Sequence, residues 1–254
     1  MKKNTIIYIL DIISFFWKLI PNIFRGFLIR FVLAIESRGN PKKSLKFLFQ
    51  IQDYLEQFIN QSALRYEGKH HPKHRLTSYH NYFISNIEDN SRVLDLGCGY
   101  GYVTFKIAEK KLNSKITGID RVSEKIKFAK KEYKLNNLDF ISGDILNYEF
   151  SLEYDTIIMS NIIEHIDKRV DFLKKIILKC KPSKIIFRVP DFRRSWQMPL
   201  KKEIGANYFS DIEHFLEPTL EEFISELKSA DLKVVNYKII WGEIWCTSEI
   251  TQKN

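Results

Sequence analysis

Three glycines within five residues, with an acid two positions before them, form the part of this 254-residue chain best suited to chemistry. Gly97-Cys98-Gly99-Tyr100-Gly101 follows the apolar run Arg92-Val93-Leu94-Asp95-Leu96 and precedes a helical pattern from Tyr102 to Lys111. Strand, glycine turn and helix open a nucleotide-binding α/β unit. The glycines allow a tight turn without side chains, so a ligand can approach the backbone and the helix amino terminus. A second apolar run, Lys115 to Ile119, ends in Asp120, twenty-five residues beyond Asp95. An acid so placed accepts hydrogen bonds from ribose hydroxyls. A dinucleotide fingerprint G-x-G-x-x-G counted from Gly97 requires glycine at position 102, which is Tyr102. The third glycine arrives one residue early, at Gly101, which argues against a nicotinamide dehydrogenase.

The resulting D-x-G-x-G-x-G, with Asp95 closing the strand, resembles motif I of the class I S-adenosylmethionine-dependent methyltransferases, and the resemblance runs from about Tyr66 to Ser248. It implies a doubly wound α/β fold: a Rossmann-like seven-stranded sheet with an antiparallel last strand. It also implies S-adenosyl-L-methionine as cofactor. Asp95, Gly97, Cys98, Gly99 and Gly101 would hold its amino-acid end, and Asp120 with Arg121 its ribose. Ile141-Ser142-Gly143-Asp144-Ile145 is similar to the segment after the third strand, where Asp144 would accept from the adenine amino group and the Ile145 amide would meet the ring. Tyr154 to Ile166, including Asn161 and the Glu164-His165 pair, looks like the fourth strand and the region facing the transferred methyl group. If the acceptor is a hydroxyl, His165 and His214 are the candidate bases. Relatives that methylate quinone-precursor phenols carry a further carboxylate three residues before the Glu-His pair, which helps bind a metal. Asn161 stands there in this chain, so metal dependence is not expected, although Glu164 and His165 remain available as ligands.

These residues need elements to position them. The pattern continues with an apolar helix from Val170 to Cys180, a strand from Lys184 to Val189 ended by Pro190 and Asp191, and a helix from Thr219 to Ala230. Strands at Lys233 to Ile240 and Glu243 to Glu249 flank a turn at Trp241-Gly242 and would form the hairpin that closes this fold. The stretch from Asp191 to His214, with Arg193 and Arg194, lies where family members build the acceptor pocket. Two arginines there could meet an anionic group on the acceptor, or simply face solvent.

Residues 1–64 are expected to form a helical extension ahead of a methyltransferase domain at 65–254. From Thr5 to Ile35 the chain is strongly apolar, but Asp11, Lys18, Arg25 and Arg30 interrupt it, short of the ~18 uncharged residues of a spanning helix. Asn4, Asp11, Lys18 and Arg25 recur every seven residues and leave one narrow polar stripe, with a kink at Pro21. Such a surface suits either a membrane interface or the protein's own body or a second subunit. Asn40 should cap a following helix that carries Leu45, Leu48, Ile51, Leu55 and Phe58. A helix from about Arg75 to Ile87 is also expected. His70 and His74 have the spacing of a helical metal pair, but Pro72 between them spoils the helix that would present both rings.

The formal charge of +9 could attract nucleic acid or anionic lipid, but it reads here as a general bias toward lysine spread over many helices. Base-amine methylation is disfavoured, because Ser160-Asn161-Ile162-Ile163 replaces the proline-proline-aromatic motif of enzymes that perform it. Cys98, Cys180 and Cys246 are too scattered for a disulfide framework and fit a reducing cytoplasm, possible contact with the inner membrane face aside. The expectation is methyl transfer to a small-molecule, glycan or lipid-linked acceptor, at oxygen. An RNA methyltransferase and a non-catalytic cofactor-binding module tethered by its first helix are the alternatives, and a homodimer is compatible with the apolar extension.

Overall fold

The computed structural model describes residues 2–68 and 70–251, with side chains from Asp11 onward, so the expected apolar positions 5–10 and the stripe residue Asn4 lie outside the described side chains. The chain divides into two compact units. One runs to Ile59 and includes Lys201–Asn207; the other comprises Asn60–Leu200 and the segment from Tyr208 onward.

The first unit contains α1 (Lys2–Leu19), α2 (Asn22–Glu36) and most of α3 (Pro41–Glu67). Pro21 has no N–H to continue α1, and its carbonyl instead accepts from Phe24 and Arg25 to start α2. Asn40 caps α3 as its type predicts, accepting from the Lys43 N–H at 3.1 Å. On α3, Asp53 meets the buried Lys201 ammonium at 2.8 Å, and Lys201 lies 5.1 Å from the centre of the Phe49 ring. No described helix is long and apolar enough to cross a membrane.

In the second unit the single helix expected from Arg75 to Ile87 is two, α4 (Lys73–Thr77) and α5 (His80–Ser85). Ser78 between them is left-handed, with φ 47°. Thr77 and Ser78 hydroxyls donate to the carbonyls of Lys73 and Arg75, local bonds that compete with helix continuation. Beyond them come β1 (Arg92–Leu96), α6 (Tyr102–Lys110), β2 (Lys115–Asp120), α7 (Ser123–Glu132), β3 (Leu138–Ser142), β4 (Thr156–Ser160), α8 (Arg169–Cys180) and β5 (Lys184–Pro190). The chain finishes with α9 (Gln197–Ile204), α10 (Leu220–Ser229), β6 (Leu232–Ile240) and β7 (Glu243–Ile250).

The seven strands form one sheet in the order β3-β2-β1-β4-β5-β7-β6. The first five are parallel, and β7 is antiparallel to both β5 and β6. Strands β1, β4 and β5 read as continuous apolar runs because both sheet faces are covered. Leu94, Leu96, Ile157, Met159, Ile185 and Phe187 pack against Leu173 and Ile176 of α8 and Phe223 and Leu227 of α10. Val93, Ile158 and Ile186 pack against Val103 and Ile107 of α6 and Tyr82 and Phe83 of α5. Burying each such side chain contributes about 2 kcal/mol. This is the Rossmann-like, doubly wound sheet expected from the sequence, with its strand order reversing between β1 and β4.

Candidate functional site

Parallel register brings the carboxyl ends of the strands level. Leu96 pairs with both Ile119 and Met159, Ile119 with Ile141, and Met159 with Phe187. The next residues, Gly97, Asp120, Ser142, Ser160 and Arg188, therefore lie in one row across the sheet, Gly97 just beyond β1 and the others still on their strands. Ligands of open α/β sheets bind at this edge, where the strand order reverses.

The glycine turn is shaped by conformation and by neighbours. Gly97, Gly99 and Gly101 have φ of 71°, 57° and 80°, in the left-handed region where a Cβ is costly. A Cβ on Gly97 would lie 1.9 Å from Ile162 Cδ1, and one on Gly101 would lie 2.7 Å from Phe140 Cε1. Above Gly99 a Cβ would meet nothing within 4 Å, which leaves its backbone open to a ligand. The N–H groups of Gly97 and Cys98 both donate to the Ile119 carbonyl, at 2.8 and 3.0 Å. Asp120 laces the turn to β2: its carboxylate accepts from Gly99 N–H at 2.9 Å and Val122 N–H at 2.8 Å, with further lone pairs remaining.

The other expected cofactor residues take varied positions. Asp95 is buried beneath the turn and accepts from Thr104 Oγ1 at 2.6 Å; burial pushes its carboxyl up to about 7. Cys98 is half-buried, and burial raises its thiol further from ionisation. Arg121 extends outward to Glu213 at 3.3 Å, both largely exposed. Asp144 is exposed after β3, where its carboxylate accepts from Leu146 N–H and Asn147 Nδ2, while Ile145 packs against the core. Asn161 is left-handed at φ 55°, and its Oδ1 accepts from Arg188 Nε at 3.0 Å.

Beyond β4 a 3-10 turn at Ile163–His165 presents Glu164 and His165. The ring of His165 stands edge-on to that of His214, centroids 4.4 Å apart. Burial, then the neighbouring His214, lowers the pKa of His165 and favours its neutral imidazole. His214 Nδ1 meets Glu217 at 2.8 Å, so the ring's other nitrogen is left for a ligand. Burial alone would raise Glu217, but hydrogen bonds with His214 and Ser210, together with the Arg194 charge, hold it below its usual range. Glu164 is 1% exposed, both its oxygens lack a hydrogen-bond partner, and burial pushes it up to about 8. Glu164, His165 and His214 offer ligand atoms all within 4.8 Å of one another, a spacing a divalent cation could use.

Two charged residues of this region escaped the sequence pattern. Arg188 is buried on β5, 3.2 Å from Glu243, with its guanidinium carbon 3.7 Å from the centre of the Tyr79 ring. A lone arginine inside Ile185-Ile186-Phe187-Arg188-Val189 was the available signal. Glu217, three residues after His214, could have been found as a partner for that imidazole. Arg193 and Arg194 pair with Glu221 and Glu217, so both are held by acids of the chain itself. The histidine-rich segment gathers around Tyr102 instead of forming a helical pair: the His70 and His74 ring centroids lie 4.8 and 4.5 Å from that of Tyr102.

A family model described as a methyltransferase domain matches residues 87–248. Over 95 residues the chain is 38% identical to the pavine N-methyltransferase of Thalictrum flavum subsp. glaucum, covering 36% of this chain and 27% of that one. The matched region spans only about a quarter of the length of such plant relatives. A ubiquinone biosynthesis O-methyltransferase of Rickettsia bellii is 25% identical over 203 residues, 72% of this chain and 82% of the relative. Among solved structures, the magnesium protoporphyrin IX methyltransferase of Synechocystis PCC 6803, with bound SAH, superposes with TM-score 0.54 at 14% identity, covering 70% of this chain and 83% of that one. Human N-acetylserotonin methyltransferase in complex with SAM gives TM-score 0.55 at 19% identity, covering 68% and 52%. These two likenesses concern the fold. The family match spans well over half of the chain and falls on the strands and the glycine turn described above, and the protein therefore belongs to the class I S-adenosylmethionine-dependent methyltransferases.

Proposed function

We propose that residues 65–254 transfer the methyl group of S-adenosylmethionine to an oxygen of a small-molecule, sugar or lipid-linked acceptor in the cytoplasm. The observation that carries this reading is the open backbone at Gly99, laced to Asp120 at the carboxyl edge, with a neutral imidazole beyond the adjacent β4. In this reading Asp95 and Cys98 support the turn at Gly97, Gly99 and Gly101, which receives the amino-acid end of the cofactor. Asp120, with Arg121, receives the ribose; Asp144 and the Ile145 amide receive the adenine; Asn161 borders the sulfonium.

Methyl transfer is an in-line displacement. The oxygen–carbon bond forms as the carbon–sulfur bond breaks, and the electron pair leaves with a neutral thioether. Alignment of the three atoms is the largest contribution the enzyme makes. His165 takes the hydroxyl proton, a role its depressed pKa suits because the free base is present at neutral pH. His214, held by Glu217, keeps that ring in place from its edge.

An amine acceptor is the second reading. It is favoured by Glu164, whose buried carboxyl oxygens without a hydrogen-bond partner could accept an N–H of the free amine while the amine's lone pair attacks the methyl carbon, and by relatives named as N-methyltransferases. Incubating the protein with labelled cofactor and fractionated metabolites, then fragmenting the product by mass spectrometry, tests both. An O-methyl product lost in the His165→Ala variant is expected, an N-methyl product selects the second reading, and no labelled product in any fraction overturns both.

A further inference from the structure

The chain's positive charge is unevenly placed. The first 46 residues hold nine lysines and arginines against Asp11 and Glu36, a net of +7 out of the chain's +9, which leaves +2 for the other 208 residues. Among the described residues, the same segment carries a run of exposed apolar side chains. Helix α2 has no buried residue, and Ile23 and Phe27 are 77% and 67% exposed. Phe15, Phe16, Leu19, Phe24, Leu28 and Phe31 are exposed as well. Leaving that much apolar surface in water is unfavourable by roughly 25 cal/mol for each Å².

Length limits what can cover it. At 1.5 Å per residue, the 18 residues of α1 and 15 of α2 reach about 27 and 22 Å, below the ~30 Å of a bilayer's hydrocarbon core. The break at Pro21 prevents the two from joining into one longer rod. Charge decides between the remaining occupants. Residues 2–36, which form α1 and α2, hold five lysines and arginines against Asp11 and Glu36, so a second copy would bring its own +3 to the pairing, and like charges oppose it. A surface bearing negative headgroups attracts the cations while receiving the phenylalanines and Trp17. Lys18, Arg25 and Arg30 have aliphatic stems long enough to lie along the apolar surface and place their charges at headgroup level.

We infer that α1 and α2 lie in the plane of an anionic membrane surface. The test is sedimentation of the 254-residue protein with vesicles of phosphatidylcholine alone and of the same lipid with about a third phosphatidylglycerol. The expected result is tighter partition onto the anionic vesicles by at least about tenfold, lost as salt is raised. Arg25→Gln combined with Arg30→Gln should weaken that partition by on the order of tenfold, while S-adenosylmethionine binding stays unchanged as evidence of folding. Equal partition onto both vesicle types, or onto neither, overturns the inference. A salt-resistant dimer in solution that ignores both lipids assigns the apolar face to a second copy and overturns it as well.

Discussion

At the scale of single residues, the glycine turn separates conformational need from ligand space. Gly101 has φ 80° and no room, with Phe140 Cε1 at 2.7 Å and Ala129 Cβ at 2.9 Å from a would-be Cβ. Gly101→Ala should therefore lower folding stability by about 3 kcal/mol, read from the urea midpoint. Gly99 has φ 57° but open space. Gly99→Ala should cost only about 1 kcal/mol in the same assay yet weaken cofactor binding tenfold or more, because its methyl enters the volume the ligand needs. Equal effects of the two substitutions on binding, after correction for the folded fraction, would contradict this assignment. Asp95 gives a pH signature. Burial, partly offset by the hydrogen bond from Thr104, pushes its folded pKa up to about 7, above its ordinary 3.8. As pH rises, the unfolded chain releases this proton first, so the carboxyl's contribution to stability declines between those two values and levels off above the folded one. Asp95→Asn has no such slope. Its unfolding midpoint should improve relative to wild type from pH 5 to pH 8, and a gap that stays constant over that interval would show that Asp95 ionises normally.

At the scale of elements, what the sequence made legible follows burial. Strand β1 came out residue for residue because Arg92–Leu96 is a compact apolar run bounded by turn residues. The final helix was marked by Thr219, whose hydroxyl accepts from Glu222 N–H while the Glu222 carboxylate accepts from Thr219 N–H. Removing that box in Thr219→Ala should cost about 1 kcal/mol, visible as a lower thermal midpoint with cofactor affinity unaltered. The break at Ser78 was missed because its cause is local: two hydroxyls bonding back to Lys73 and Arg75, with no glycine or proline to announce them. The candidate site was legible where chemistry is carried by motif, at Gly97 to Gly101, Asp120 and Glu164-His165. It was illegible where chemistry depends on residues distant in sequence. Nothing along the chain says that Arg188 lies over Tyr79, 109 positions earlier, or that His214 stands beside His165.

At the scale of the whole chain, two properties are carried by different segments. Residues 87–248 bear the family match and the carboxyl-edge site, while the first 46 residues hold most of the net charge and the exposed apolar helices. Vesicle binding and cofactor binding should accordingly respond to different substitutions. Calorimetric titration of the 254-residue protein with S-adenosylmethionine, repeated with Asp120→Asn and with NADH, reads the cofactor choice itself. One saturable site is predicted for the wild-type chain, weakened about tenfold to a hundredfold in Asp120→Asn through the loss of a charged acceptor for the ribose hydroxyls, with no heat from NADH. An absence of heat from S-adenosylmethionine alongside a clear NADH isotherm would rule out the sulfonium nucleoside as the cofactor of this site.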